Sequence, residues 1–317
     1  MRQLMSKEEI SVNGTLRALE DRMDSVIRGK RNAIRMAITT LLAKGHLLIE
    51  DVPGVGKTTL AFTLAKAINC TFQRIQFTSD LLPSDIIGVS IYNAEKKDFE
   101  FKQGPIFTNI VLADEINRTN PKTQSALLEA MNERRVSVDR RTYILPEPFM
   151  VIATQNPLEY HGTFPLPESQ LDRFMLHLRL GYPSPEYERR AILEQMDFET
   201  IERMSPVVDS REILRMQKEV DTVRVERSLL DYLIAIINET RKDERVRLGA
   251  STRASQFLLK IAKANAYYEG RNYITPEDIK DTAVYVLGHR LILKAKTSIM
   301  DSERILEDIL KKLPVPV

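Results

Sequence analysis

Short apolar runs alternate with amphipathic segments through the first half of the chain. Helical periodicity over 28–44, 57–69 and 121–134 fills the spaces between the runs, and Asn120 and Pro121 fit the cap and first position of the third helix. The runs themselves are rich in Val, Ile, Leu or Phe and end in polar or turn residues, as buried parallel strands do. They span 46–50, 71–77, 110–114, 149–154 and 174–180. The alternation predicts an α/β fold with a largely parallel sheet.

Two segments break this alternation, and the composition then changes. Residues 87–107 and 134–149 each suggest two short strands around a polar turn. Pro183 and Pro185 mark a hinge-like linker, after which helices are predicted over 186–200, 209–219, 226–241, 252–269, 275–287 and 302–312. We therefore predict an α/β core over residues 1–182 and an all-α lid over residues 183–317.

Composition indicates a globular chain: 43% of the 317 residues are hydrophobic and 28% are charged. The charged N-terminus lacks an apolar signal core, and no apolar run is long enough to span a bilayer. Cys70 is the single cysteine, which excludes a disulfide framework. These features predict a cytoplasmic protein without membrane insertion. The balance of 46 basic and 44 acidic residues makes nucleic acid an unexpected main partner.

The stretch "LLIEDVPGVGKTTLA" (47–61) joins a predicted strand to a predicted helix. Gly54 and Gly56 would let backbone amides converge on phosphate oxygens at the helix N-terminus. Lys57 would reach the β and γ phosphates, and the Thr58 hydroxyl would hold Mg²⁺. Asp51 stands where the usual phosphate-loop pattern has its first glycine. We expect little effect of this departure because the chain leaves the strand there. The alternative is a plain strand–turn–helix connection.

The stretch "NIVLADEINR" (109–118) is an apolar strand that ends in two carboxylates. Asp114 is suited to bind Mg²⁺ through water, and Glu115 is suited to polarise an attacking water. The alternative is an acidic helix cap after a core strand. An Asp–Glu pair favours hydrolysis with water as the nucleophile over transfer to a bound acceptor.

A further strand, in "VIATQNP" (151–157), ends in polar residues. Asn156, or less favourably Thr154, could orient the water or sense the γ-phosphate from the neighbouring strand tip. The alternative for Asn156 is a simple Asn-Pro turn.

Two arginines complete the candidate site. Arg173 precedes the last core strand and is badly placed for its own subunit's γ-phosphate, but it could be donated to a neighbouring subunit. The alternative is a surface salt bridge with Asp172 or Glu168. Arg253 lies in the first turn of a lid helix, where the macrodipole disfavours cations and an anionic ligand would explain it. The alternative is an ordinary exposed arginine.

These five stretches, in this order, resemble the phosphate loop, metal carboxylate, sensor 1, arginine finger and sensor 2 of the AAA+ ATPases. Within AAA+, "EDVPGVGKTTLA", "FKQGPIF", "VLADEINR", "ATQNPLEYHGTFPLPESQLDRF" and "GASTRA" resemble the MoxR family. The resemblance covers about residues 24–290 and implies a core with a five-stranded parallel sheet, whose two hairpins are the helix-2 and pre-sensor-1 inserts.

The resemblance also implies ATP and Mg²⁺ as ligands. By residue, it implies Asn156 and Arg253 as sensors, Arg173 as a finger acting in trans, and Thr58 with Asp114 at the metal. Val26 and Ile27 in "VIRGK" would pack against the adenine. The nucleotide loop would comprise Pro53, Gly54, Val55, Gly56, Lys57, Thr58 and Thr59.

A finger in trans implies a homo-oligomeric ring, and the resemblance implies that this ring is a hexamer. The family further implies a chaperone that remodels or matures client proteins, sometimes with a von Willebrand factor A-type partner. The alternative is a nucleic-acid motor or loader, supported by the basic 134–149 hairpin, which carries Arg134, Arg135, Arg140 and Arg141. A third possibility, a nucleotide switch that seldom turns over, is disfavoured by Glu115.

Overall fold

The computed structural model describes residues 7–157, 162–194, 198–294 and 299–316. Its strands are β1 (Leu47–Glu50), β2 (Phe72–Gln76), β3 (Gly88–Asn93), β4 (Asp98–Gln103), β5 (Ile110–Asp114), β6 (Arg135–Val138), β7 (Arg141–Ile144), β8 (Met150–Gln155), β9 (Leu176–Leu178), β10 (Val246–Leu248) and β11 (Ile292–Leu293). The first helices are α1 (Lys7–Asp24), α2 (Arg31–Leu42), α3 (Lys57–Ala67), α4 (Pro83–Ile87), α5 (Pro121–Glu133) and α6 (Glu168–Leu171). The later helices are α7 (Pro185–Glu194), α8 (Phe198–Glu202), α9 (Ser210–Asp221), α10 (Arg227–Lys242), α11 (Thr252–Tyr268), α12 (Pro276–Leu287) and α13 (Ile299–Lys312).

A five-stranded parallel sheet forms the centre of the first half, in the order β2–β5–β8–β1–β9. Both β5 and β8 are buried along almost their whole length, which explains their continuous apolar sequences. All five predicted strands are confirmed within two residues at each end, and β9 is the one that is two residues shorter than predicted at both ends. Since the strands are parallel, the residues that follow β1, β5 and β8 lie along the same edge of the sheet.

Both predicted hairpins are present as separate antiparallel pairs, β3–β4 and β6–β7. They touch through stacked rings of Phe101 and Tyr143, whose centroids lie 4.2 Å apart. Val89, Tyr92 and Phe99 on the first hairpin stay exposed.

The second half is helical, as predicted, and several of its helices begin at caps that the sequence identifies. Asp209 accepts a hydrogen bond from the backbone amide of Glu212, and Thr275 with Asp278 forms a capping box at α12. The predicted all-α lid also contains a short antiparallel pair, β10–β11, which the sequence analysis does not foresee because β11 has only two residues.

Helix α1 was not predicted, because charged residues dominate its sequence. Leu16, Leu19 and Met23 form a narrow stripe at helical spacing and are fully buried in the main core. Helix α1 contacts α2 and α3.

The chain leaves the sheet at Leu178 and starts α7 at Pro185, so the predicted linker is an irregular segment there. The core and lid boundaries at 1–182 and 183–317 stay a prediction. Within the described ranges every helix is too short or insufficiently apolar to cross a membrane. The sequence places His161 in the loop before Arg173, where it is expected to be a plain loop histidine or, as the less favoured alternative, an interface residue, and it lies outside the described residues.

Candidate nucleotide site

The glycine loop lies between β1 and α3, in the context that the sequence predicts. Gly54 and Gly56 have φ values of 84° and 96°, in the left-handed region that favours glycine. A Cβ atom built on either residue would meet open space, so the loop presents bare backbone. Gly56 caps α3 without a side-chain partner for the first amides of the helix. The result is a concave loop at a helix N-terminus, which is an anion site by geometry.

Lys57 is the first residue of α3, and its ammonium group turns back over the loop. Nζ donates to the backbone oxygen of Asp51 at 2.6 Å and to that of Val52 at 3.3 Å. The lysine is therefore held at the mouth of the loop, within reach of any anion that enters it.

Asp51 has a larger structural role than the sequence analysis assigns. It is almost buried, with 9% of its surface exposed. One carboxylate oxygen accepts from the backbone N–H of Val52, and the other accepts from Leu180 at 2.8 Å and Gly181 at 2.6 Å. The departure from the glycine pattern therefore ties the loop to the segment that follows β9.

Asp114 is the last residue of β5 and Glu115 follows it, and Thr154 of the adjacent strand β8 is hydrogen-bonded to both. The Thr154 hydroxyl donates to Asp114 Oδ1 at 2.6 Å and accepts from the backbone N–H of Glu115 at 2.9 Å. Thr154 is fully buried. The sequence analysis considers Thr154 only as a second choice for sensing the nucleotide, whereas the structure places it between the two acidic residues.

Glu115 stands in an unusual backbone conformation, with φ 58° and ψ 50°. A non-glycine residue there costs on the order of 1–3 kcal/mol and is common at functional sites. Its carboxylate accepts from Gln76 Nε2 at 2.8 Å and pairs with Arg118 at 3.0 Å. The family resemblance also makes Arg118, which follows the carboxylate pair, a candidate for the subunit interface, and here it contacts Glu115 of its own chain.

Strand β2 supplies two residues that the sequence analysis misses, Gln76 and Arg74. Arg74 pairs with Asp114 Oδ2 at 2.6 Å. The order of the strands explains why both residues lie beside the acidic pair, because β2 pairs with β5 and places Gln76 opposite Asp114. The signal in the sequence is weak: two polar residues at alternate positions of a strand.

Asn156 lies one residue beyond β8 and is buried, with 5% of its surface exposed. The pairing of Glu50 with Gln155 brings this strand end beside the start of the glycine loop. After α1, Ile27 is buried and Val26 is half-buried, and both pack in the main core.

The two predicted arginines, Arg173 and Arg253, have partners other than the glycine loop, Asp114 or Glu115. Arg173 Nη1 donates to the backbone oxygen of Leu128 at 2.8 Å, on α5. Arg253 lies 3.7 Å from Asp172, a weak and half-exposed ion pair. The predicted first-turn position of Arg253 in α11 is confirmed, and its anionic neighbour in this structure is a side chain of the core.

Asp172 also pairs with Arg290, which is almost completely buried, at 2.8 Å. Burial lowers the pKa of the Arg290 guanidinium to about 10, although the bond to Asp172 acts in the opposite direction. Further donors of Arg290 reach the backbone oxygens of Phe174 and Val286. A buried cation thus fixes the C-terminal helices to the residue beside Arg173.

The oxygen donors near the loop fit a magnesium ion. No cluster of three or more His, Cys, Asp or Glu side chains exists among the described residues. Mg²⁺ in nucleotide sites usually takes one or two protein oxygens and completes its shell with phosphate and water. Asp114 and the Thr58 hydroxyl would supply such oxygens. Asp114 Oδ1 accepts one hydrogen bond, from Thr154, and keeps acceptor capacity for a metal, whereas Oδ2 accepts two from Arg74.

Comparison with known proteins identifies related chains over nearly the full length. The model of the ATPase family associated with various cellular activities (AAA) matches residues 46–176, and the AAA lid domain matches residues 238–309. YeaC of Bacillus subtilis is 50% identical over 299 residues, covering 94% of this chain and 93% of its own.

A protein named Chaperone MoxR1 from Mycobacterium tuberculosis is 41% identical over 302 residues, covering 92% of this chain and 80% of its own. A crystal structure from Cytophaga hutchinsonii, described as that of a candidate ATPase, superposes with a TM-score of 0.90. The two chains share 38% identity, and the match covers 98% of each.

Proposed function

The chain belongs to the MoxR family of AAA+ ATPases, and from this premise we propose that it uses Mg²⁺-dependent ATP hydrolysis to remodel or mature partner proteins. The family assignment confirms the resemblance stated from the five motifs. The observation that carries the proposal is the arrangement of Asp114, Thr154 and Glu115 at the sheet edge next to the open glycine loop. The chaperone role is taken from the name of one relative and not from any residue of this chain.

Each site residue then has a chemical task. The backbone N–H groups of residues 54–59, the N-terminus of helix α3 and Lys57 bind the phosphates, while Pro53 shapes the loop without donating and Val26 and Ile27 contact the base. Thr58 and Asp114 hold Mg²⁺, which when bound neutralises charge on the phosphate oxygens. Glu115 polarises the attacking water.

Asn156 orients the same water, and Arg253 contacts the γ-phosphate of its own subunit. Arg173 stabilises the transition state at a neighbour's γ-phosphate, which requires a homo-oligomeric ring, proposed to be a hexamer. A von Willebrand factor A-type protein is a proposed partner, and the client is unknown. The cytoplasmic location stays a prediction.

Substitution of Glu115 by Gln tests the assignment of the catalytic base. We expect ATP turnover to fall by at least about a hundredfold because the variant cannot accept the proton of water, while ATP binding survives. Steady-state phosphate release and fluorescent-nucleotide titration measure the two quantities. Glu129→Gln, an exposed position on α5, is the matched control. Loss of binding together with turnover would contradict the role given to Glu115.

The structure weakens the alternative of a nucleic-acid motor. Of the four hairpin arginines, Arg134 donates to the backbone oxygen of Lys44 and Arg135 pairs with Glu133. Arg140 and Arg141 remain at the exposed tip. Stimulation of ATP hydrolysis by DNA, with an affinity that falls steeply with salt, would favour the motor.

A further inference from the structure

The segment that follows β9 is held by a lysine of the core. Lys30 Nζ donates to three successive backbone oxygens, those of Leu180 at 2.6 Å, Gly181 at 3.0 Å and Tyr182 at 2.8 Å. An ammonium group has three protons, so this set of carbonyls uses its full donor capacity. Residues 180–182 form the start of the linker between the sheet and α7, and we call them the linker peptide.

Asp51 binds the same linker peptide with its carboxylate, which accepts hydrogen bonds where the Lys30 ammonium group donates them. Its Oδ2 accepts from the backbone amides of Leu180 and Gly181, so the linker peptide is bound through its N–H groups by Asp51 and through its oxygens by Lys30. The two side chains have opposite charge, which makes the arrangement nearly neutral. Burial lowers the pKa of Lys30, and the Asp51 charge offsets part of that effect.

The linker peptide is a point where the backbone turns. Gly181 has a φ of +65°, in the left-handed region, and Pro183 and Pro185 follow it. A turn of this kind between a strand and a helix is where rotation of one part of a chain against another is absorbed. The two charged side chains therefore act at the position that would govern such a rotation.

Asp51 also belongs to the phosphate loop. Its backbone oxygen accepts from Lys57 Nζ, the group assigned to the β and γ phosphates, and its side chain binds the linker peptide. An anion that draws Lys57 away changes the hydrogen bonding of the same residue that grips the linker. A glycine at this position, as in the usual motif, has no side chain with which to make this connection.

We propose that Asp51 and Lys30 are positioning residues that clamp the linker peptide to the phosphate loop, so that the orientation of the C-terminal helices follows occupancy of the loop. This inference rests on the proposed ATPase function. It assigns no contact with nucleotide to either residue. Its consequence is that Arg253, on α11 beyond the linker, is placed for catalysis only when the clamp is intact.

Substitution of Asp51 by Gly, which restores the usual motif, is the most direct test. ATP affinity should stay within about threefold of wild type, whereas kcat should fall roughly tenfold, within the range typical of coupled sites. Asp51→Asn keeps one acceptor oxygen for the linker amides and should recover part of kcat. Amide hydrogen exchange, measured with ATP in a Glu115→Gln background, should show that nucleotide no longer changes protection of the peptide that carries Arg253 in the Asp51→Gly variant.

Lys30→Met tests the other half of the clamp without altering the loop and should give the same split between affinity and kcat. Lys44→Met is the matched control, because Lys44 also joins the two halves of the chain, through Asp221 at 2.6 Å, but touches neither the loop nor the linker peptide. The control should keep wild-type turnover and wild-type exchange.

Two results would overturn the clamp. One is normal kcat in Lys30→Met, which also decides the matter if Asp51→Gly does not fold. The other is loss of ATP binding in Asp51→Gly, which would make Asp51 a nucleotide-binding residue. Failure of the ATPase proposal itself would look different, because wild-type protein would then neither bind nor hydrolyse ATP.

Discussion

The charged residues at the edge of the sheet have different kinds of partners from those at the contact between the sheet and the later helices, which we call the seam. At the edge, Asp114 and Glu115 are fixed by the buried Thr154 through two short hydrogen bonds within one chain. At the seam, Arg173 and Arg253 are bound to Leu128 and Asp172 rather than to the loop. In the proposed site, the acidic residues are therefore held by contacts within one chain, whereas Arg173 and Arg253 would have to leave their present partners before they could act there.

Substitution of Asp172, which lies at the seam, should lower the free energy of unfolding by the largest amount. Asp172→Ala would leave the Arg290 guanidinium buried without its carboxylate partner, at a cost of about 3–5 kcal/mol of unfolding free energy. Chemical denaturation measures the change. The double variant Asp172→Ala with Arg290→Met should recover much of the loss, because it removes the buried charge. Equal stability of the two variants would show that the ion pair contributes little to the seam.

In the first half of the chain, the free energy of unfolding should depend on pH because of His46. This buried histidine donates from Nε2 to the backbone oxygen of Met131 and accepts at Nδ1 from the backbone N–H of Val151, and burial lowers its pKa to about 4. Its folded pKa lies below the unfolded value, so its contribution is complete above about pH 6.5 and is lost as the pH falls toward 4. The cost of acidification should approach about 3 kcal/mol at the lower pH.

Denaturation at several pH values between 7 and 5 would measure this slope, and His46→Gln should flatten it. His289 is also buried, and burial lowers its pKa as well, so the wild-type slope contains both residues. If the pH dependence of the unfolding free energy is unchanged in His46→Gln, then His46 is not its source.

Thr154 should affect catalysis by a smaller amount. Thr154→Val keeps the shape of the side chain but removes the hydroxyl that bridges Asp114 and Glu115, and kcat should fall about 10- to 100-fold with little change in ATP affinity. Thr154→Ser should retain most activity. Thr39→Val, at a buried threonine of α2 whose hydroxyl lacks a hydrogen-bond partner, controls for the substitution itself. Equal loss in the valine and serine variants would indicate a packing role instead.

The sequence predicts the sheet edge better than the seam, for physical reasons. Strands β1, β5 and β8 are buried on both faces, and their sequences are therefore apolar runs. The polar residues at the ends of these runs, Asp114 and Asn156, can be found directly from the sequence. Caps such as Thr275 with Asp278 are local and are equally readable. The five strands, the two hairpins and the helical second half follow from such local signals.

Contacts between distant segments cannot be found in this way. Gln76 reaches Glu115 only because β2 lies beside β5, and Lys30 reaches Gly181 across 151 positions of the chain. The sequence analysis expects little effect of Asp51 because the chain leaves the strand there, and the motif gives no sign that three backbone N–H groups donate to this side chain. Helix α1 was missed because its buried stripe is narrow and its charges are many.

A mixing experiment with two inactive variants tests the shared site most directly. Arg173→Ala subunits keep Glu115, and Glu115→Gln subunits keep Arg173, so a mixed ring contains some interfaces with both groups intact. For random assembly of equal amounts, about a quarter of the interfaces are of this kind, and ATP hydrolysis should recover to about that fraction of wild type. A mixture as inactive as its two components would contradict a site completed by a neighbouring subunit.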